Sequence, residues 1–210
     1  MNDRPQPPIT SRKKPQQARS TDLVAAILQA ALQVLAQEGA QRFTTTRVAE
    51  RAGVSVGSIY QYFPNKAAIL FRLQSDEWRQ TTAMLGEMLA DASHPPLERL
   101  RRLVHAFVKS ECDEAAMRVA LDDAAPLYRD APEAREARRA SAGTLARFMR
   151  EVLPGVAKPR RDLAAALIKA TLSNVGKDFS ESPRTEREIA RYSDAMADMF
   201  CAYLERLAKP

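Results

Sequence analysis

The sequence predicts an all-α protein: an N-terminal three-helix domain followed by a larger helical domain. Three observations carry this. Apolar residues recur at helical spacing through most of the chain, with neither strand-like alternation nor a repeat of fixed period. Glycine is scarce, 7 of 210 residues, while hydrophobic residues make up 45%, a composition for long helices with few glycine turns. Proline and glycine fall mostly between the periodic stretches.

Residues 1–19 contain four prolines and five basic residues but only one short apolar side chain, Ile9. So little apolar surface predicts a disordered basic arm. Arg12, Lys13, Lys14 and Arg19 suit either a solubilising tail or a segment that follows a DNA backbone. The first helix is predicted to start near Ser20 or Thr21, good N-caps with Asp22 in the first turn. Its stripe is Leu23, Ile27, Ala30, Ala31, Val34 and Leu35, and it ends before Gly39.

The stretch from Thr44 to Lys66 is the most specific signal. Val48, Ala49 and Ala52 share one face of a short helix capped by Thr44. Phe43 precedes that cap at the spacing of a hydrophobic staple to Val48. Gly53 supplies a left-handed turn, and Ser55 caps a second short helix whose Ile59 packs back on the first. The outward face of the second helix carries Val56, Gly57, Ser58, Tyr60 and Gln61, small or hydrogen-bonding groups and no charge stripe. A helix-turn-helix with such a face is built to enter a DNA major groove. Pro64 stops the helix and Asn65 caps the next.

Through Thr44-Thr45, Val48-Ala49, Ala52-Gly53-Val54-Ser55, Ile59-Tyr60-Gln61-Tyr62-Phe63 and Asn65-Lys66, preceded by Ile27-Leu28-Gln29-Ala30-Ala31 and Gly39, the chain resembles the tetracycline-repressor family of bacterial transcription regulators. The resemblance implies that Thr45, Tyr60, Tyr62 and Lys66 meet phosphates. Base reading falls to Val56, Gly57, Ser58 and Gln61, with Thr46 beside them and Ser55 at the helix start. Gln suits adenine, and apolar side chains suit thymine methyl groups. Two positions depart from the family: Ala26 stands where a basic residue often precedes Ile-Leu, and Phe43 where the first of the paired threonines often lies.

The second domain, residues 67–210, follows the helix-turn-helix domain of residues 20–66. A long helix from Lys66 to near Ala90 begins it and is ended by His94-Pro95-Pro96. The next carries Leu97, Leu100, Leu103, Val104, Phe107 and Val108 on one face. A shorter helix follows over about 114–123, then another over about 132–152 closed by Pro154 and Gly155. The last two helices are predicted over about 162–175 and 185–207, with a polar loop around Gly176 and Pro183 between them. In the family such a pair forms the dimer interface, which would fall on Leu172, Met196, Met199, Phe200 and Tyr203. By the same resemblance Trp78, Met84, Met88, His105, Phe107, Met117, Tyr128, Phe148 and Met149 lie on helices around an effector cavity. Met and aromatic stripes at helical spacing also serve as plain core.

Charge agrees with a nucleic-acid partner. Of the net +6, residues 1–66 hold nine basic against four acidic side chains. Two cysteines, Cys112 and Cys201, with no Cys/His spacing, predict neither a metal site nor a disulfide framework. A polar, proline-rich start and the lack of a long uninterrupted apolar run predict a cytoplasmic protein without a membrane span. With two histidines and two cysteines, nucleophile–base pairs have few possible members, so no enzyme and no cofactor is expected. The function predicted is a sequence-specific regulator, most often a repressor in this family, that binds a pseudo-palindromic operator on duplex DNA as a homodimer. A small-molecule effector releases it. The alternative is a DNA-binding regulator or architectural protein without such a ligand.

Overall fold

The structure, a computed structural model, describes residues 9–10, 18–128, 130–132 and 143–209. The described residues are helical, without a strand. The helices are α1 (Ala18–Arg42), α2 (Thr45–Ala52), α3 (Val56–Tyr62), α4 (Lys66–Ala90), α5 (Pro96–Asp113), α6 (Ala115–Ala124), α7 (Gly143–Val152), α8 (Lys158–Ser180) and α9 (Glu186–Ala208). A 3-10 turn, Ala125–Leu127, follows α6. Residues 133–142 lie outside the described ones, so the helix predicted over about 132–152 is seen from Gly143 onward.

Local chemistry sets the boundaries. Gly39, at φ 75° and ψ 171°, breaks the helical path of α1 where the sequence stops it, and a short turn continues to Arg42. Among the described helices only α1, over Ser20–Arg42, has the length and hydropathy of a membrane span. Its Val24, Ile27, Ala31, Val34 and Leu35 are nevertheless buried in the protein core. Asn65 Oδ1 accepts from the Ala68 backbone N–H at 2.9 Å and so caps α4. Thr185 and Glu188 form a reciprocal capping box that starts α9. The polar loop predicted around Gly176 and Pro183 is shorter than expected, because α8 runs on to Ser180. Gly176 is buried there against Phe107, so the glycine serves close helix packing and not a turn.

The chain forms two compact units. The first comprises Met1–Arg79 and Ala116–Arg139, and the second Gln80–Ala115 and Ala140–Pro210. The core of the first gathers Ile27, Ala31, Val34, Leu35, Phe43, Val48, Ile59, Phe63, Ile69 and Leu70 with Leu121 and Tyr128. Ile9, the one apolar side chain of the predicted arm, is 3% exposed within this core. Tyr128 is held by polar bonds as well as by burial. Its single hydroxyl proton is shared between the Leu121 carbonyl at 3.1 Å and Gln74 Oε1 at 3.3 Å. Gln74 Nε2 in turn donates to Glu77 Oε2 at 3.0 Å, and Arg118 Nη1 pairs with Glu77 Oε1 at 2.9 Å.

The second unit packs α5 against α8 and α9 around Leu100, Val104, Val108, Ile168, Ala197 and Leu204, with Phe148, Met149 and Leu153 of α7. Arg99 is buried there. It donates to the Leu89 carbonyl at 2.6 Å, pairs with Glu151, and lies 5.8 Å from the Phe148 ring centre. It thereby satisfies a carbonyl that the end of α4 would otherwise leave orphaned.

Candidate nucleic-acid interface

The helix-turn-helix is built as its caps require. The Thr44 side chain accepts from Arg47 N–H, and the Gly53 N–H closes α2 from φ 67°, ψ 31°, a conformation that favours glycine. Two residues on, Ser55 Oγ accepts from Ser58 N–H at 3.0 Å and starts α3. Phe43 and Val48, the two halves of the staple, are both fully buried, and Ile59 returns α3 to the same core. These contacts fix the outward face of α3.

The structure spreads the predicted contact residues across several depths. Thr46, Ser55, Gly57, Tyr60 and Gln61 are exposed, while Thr45, Val56, Ser58 and Lys66 are half-buried. Tyr62 differs: it is 9% exposed and packs in the unit's core, so burial leaves it little surface for a phosphate. The Ser55 and Ser58 hydroxyls lie 2.8 Å apart, which commits Ser55 to capping and orients Ser58. Thr45 Oγ1 and the Tyr60 hydroxyl lie 3.3 Å apart, so two predicted phosphate partners from different helices share one spot. A Cβ added at Gly57 would meet only Ser55 Oγ at 3.7 Å, which leaves that side of α3 open to a close partner.

Two arginines of α2 have partners on α1. Arg47 pairs with Glu38, and Arg51 Nη2 donates to Gln37 Oε1 at 2.7 Å. These bonds bridge α1 and α2 at the surface of the unit.

The effector candidates divide between the two cores. Trp78, Met117 and Tyr128 pack with the first, whereas Phe107, Phe148, Met149 and the half-buried Met88 pack with the second. Tyr128, Phe148 and Met149 are at most 2% exposed. Met84 is half-buried. His105 Nε2 lies 3.0 Å from Asp194 Oδ1, between the Arg101–Asp198 pair at 2.5 Å and the Lys109–Glu186 pair at 2.9 Å, a row of polar contacts joining α5 to α9. Met88 and His105 line an open groove of about 640 Å³ with Leu97, Arg101, Arg102 and Cys201. Burial pushes the Cys201 thiol above its ordinary pKa. Among the described residues no group of His, Cys, Asp or Glu is arranged to hold a metal.

On the last two helices the predicted dimer residues also separate by depth. Leu172, Met196 and Phe200 are buried in the protomer's own core at 6%, 5% and 3% exposure, Tyr203 is half-buried, and Met199 is 52% exposed. The residues that sequence reasoning left out of the predicted dimer contacts are Leu163 and Leu167, 64% and 51% exposed on α8. With Ala166 and Ala170 of α8, and Ala195, Met199 and Ala202 of α9, they give an apolar, small-residue outward face. The Leu163–Leu167 spacing was the available signal; alanines carry too little hydropathy to add to it.

Comparison with known proteins places this geometry. Residues 27–73 match bacterial regulatory proteins of the tetR family, and residues 95–207 match the tetracyclin repressor-like C-terminal domain. Nucleoid occlusion factor SlmA of Vibrio campbellii is 34% identical over 92 residues, 43% of this chain and 46% of that protein. The chain thus spans about half the length of curated relatives it matches. Among solved structures, the fatty acid degradation regulator FadR from Bacillus halodurans has the same fold, with a TM-score of 0.67 at 19% identity over 89% of this chain and 96% of that one. FadR from Bacillus subtilis, solved in complex with stearoyl-CoA, gives 0.64 at 18% identity over 84% and 96%.

Proposed function

The chain belongs to the tetracycline-repressor family of bacterial regulatory proteins, and from that membership we propose that it binds an operator in duplex DNA as a homodimer and represses until a small molecule releases it. The observation that carries the DNA half is the α3 face. Gly57, Tyr60 and Gln61 are exposed on a helix fixed from behind by Ile59 and at its start by Ser55, with Lys66 at the start of α4. Thr45, Tyr60 and Lys66 meet the backbone; Val56, Ser58 and Gln61, with Thr46 beside them, meet base edges, and Gly57 lets the helix backbone approach closely. Two copies joined through the outward face of α8 and α9 present two such helices to a pseudo-palindrome.

The test is binding to DNA selected from a random library. Lys66→Ala lowers affinity for every sequence and reduces the salt slope by about one phosphate. Gln61→Ala relaxes preference at one base position, by about 1–3 kcal/mol for a bidentate contact. Unchanged affinity and salt slope in both variants would overturn the site.

For the effector we propose an amphipathic molecule that engages Met84, Met88 and His105, the candidates of the second unit that remain partly accessible. Burial of Phe107, Phe148 and Met149 favours a second reading, a DNA-binding regulator or architectural protein with no small-molecule ligand. Thermal unfolding with a metabolite panel separates the two. The panel includes long-chain acyl-CoA, given the stearoyl-CoA bound by the Bacillus subtilis relative. A ligand that raises the unfolding temperature and weakens operator binding supports the first reading, and a panel without effect supports the second.

A further inference from the structure

The open groove of the second unit joins an apolar floor to an uneven balance of charge. It runs along α5 from Leu97 to His105, about 12 Å, with α9 beside it. At the Leu97 end the floor is apolar, where Met88 and Cys201 join it. The Cys201 Sγ donates to the Leu97 carbonyl at 3.6 Å, and burial pushes this thiol above its ordinary pKa, so it stays neutral and acts as part of the floor.

Arg101, Arg102, Glu98 and Glu205 border that floor. Both cations are already matched. Arg101 pairs with Asp198 at 2.5 Å, and Arg102 faces Asp91 at 3.4 Å. Hydrogen bonds from the Ser93 hydroxyl and backbone N–H hold the Asp91 carboxyl below its ordinary pKa, so it stays ionised opposite Arg102. The carboxylates of the groove are less well matched. Glu98 lies 3.5 Å from the His94 ring, and Glu205 has no hydrogen-bond or ion-pair partner among the described residues. The charge left over beside the apolar floor is therefore negative. An anion has to displace Asp91 or Asp198 to reach a guanidinium, whereas a cation meets Glu205 directly. We infer that this groove binds an aliphatic amine, with its ammonium group on Glu205 and Glu98 and its hydrocarbon chain over Leu97, Cys201 and Met88. Met88 and His105 belong to the effector site proposed above, and the ligand class named here rests on that reading. The volume of about 640 Å³ falls within the roughly 300–1,000 Å³ of small-molecule sites.

The experiment titrates the full chain, without DNA, with octylamine, octan-1-ol and octanoate. Affinity is read from the ε-methyl resonance of Met88, assigned through Met88→Leu. Octylamine should move that resonance and bind the wild type most tightly. Glu98→Gln and Glu205→Gln, both at exposed positions, should each weaken it about three- to five-fold, the value of an exposed ion pair, and together about ten-fold. Octan-1-ol, the neutral isostere, should bind about ten-fold more weakly and respond to neither substitution. Arg102→Gln frees Asp91 and should tighten octylamine binding. A resonance unmoved by millimolar octylamine overturns the site, and equal affinity for the alcohol overturns the role of the carboxylates. Octanoate binding more tightly than octylamine, and lost in Arg102→Gln, overturns the ligand class and leaves the effector reading standing. Operator binding unchanged by saturating octylamine, with the Met88 shift intact, is a failure of the effector reading alone.

Discussion

Replacing Arg118 with methionine should destabilise the N-terminal unit by about 3 kcal/mol. Arg118 on α6 faces Glu77 on α4 at 2.9 Å, with side-chain exposures of 19% and 8%. An exposed ion pair is worth at most about 1 kcal/mol, but removing one partner of a buried pair costs about 3–5 kcal/mol because the remaining charge stays out of water. The partial exposure of Arg118, and the hydrogen bond that Gln74 Nε2 still donates to Glu77, place the loss at the lower end of that range. Removing both charges, as Glu77→Leu with Arg118→Met, should restore most of the lost stability, since apolar replacement of a whole buried pair is often neutral. Trp78, the single tryptophan, is partly buried against this core beside Glu77, so its fluorescence in urea reports unfolding of this unit. A single-variant loss below about 1 kcal/mol would show that water screens the pair. A double variant no better than the single would show that the charges themselves stabilise the contact.

Other perturbations have equally definite outcomes. Leu163→Glu with Leu167→Glu should yield folded monomers by light scattering, because both side chains already face solvent, whereas Phe200→Glu should lose the fold as seen by circular dichroism. Gly176→Ala would place a Cβ 3.1 Å from Phe107 Cε1, and Phe107 is itself buried. Overpacking of about 1–3 kcal/mol then exceeds the helix-propensity gain of about 1 kcal/mol, so the urea midpoint falls; Phe107→Leu should reverse the sign. Gly57→Ala has open space and should raise stability slightly while lowering DNA affinity, measured by fluorescence anisotropy. Hydrogen bonds from the Thr185 backbone N–H and hydroxyl hold the Glu188 carboxyl below its ordinary pKa. Its contribution is complete above the ordinary carboxylate range and is lost as pH falls through the lowered value, so Glu188→Gln should flatten the acid limb of stability against pH.

Much of the fold was legible because helix ends are written in local chemistry. Thr44, Gly53, Ser55, Asn65 and Thr185 each act where their side chains or backbone freedom indicate. Depth was less legible, since periodicity marks a face but not what lies against it. Leu163 and Leu172 fall in one predicted helix on opposite sides of it, nine residues apart, and with leucines on both sides the sequence does not say which side is covered: one is 64% exposed and the other 6%. Gly176 reads as a turn in the sequence, because close packing by glycine depends on a residue far away in sequence, here Phe107. Tyr62 looked like its neighbour Tyr60, and only the packing of α3 separates a 9% from a 41% exposed ring. The burial of Ile9 was invisible for a related reason: a single apolar residue in a polar stretch carries no period.

The N-terminal unit is assembled from two stretches of chain, Met1–Arg79 and Ala116–Arg139. In modular terms the reading head is therefore not a cassette. A gene fusion or recombination crossover after residue 79 would transplant α3 but leave behind Leu121, Ala124 and Tyr128, and would strip their cover from Phe71 and Gln74. Swapping operator specificity between relatives should succeed by exchanging the outward residues of α3 within an intact chain, or by a double crossover that carries α6 along. Evolution of new specificities under that constraint would proceed by point substitution on the α3 face more readily than by shuffling the first third of the gene.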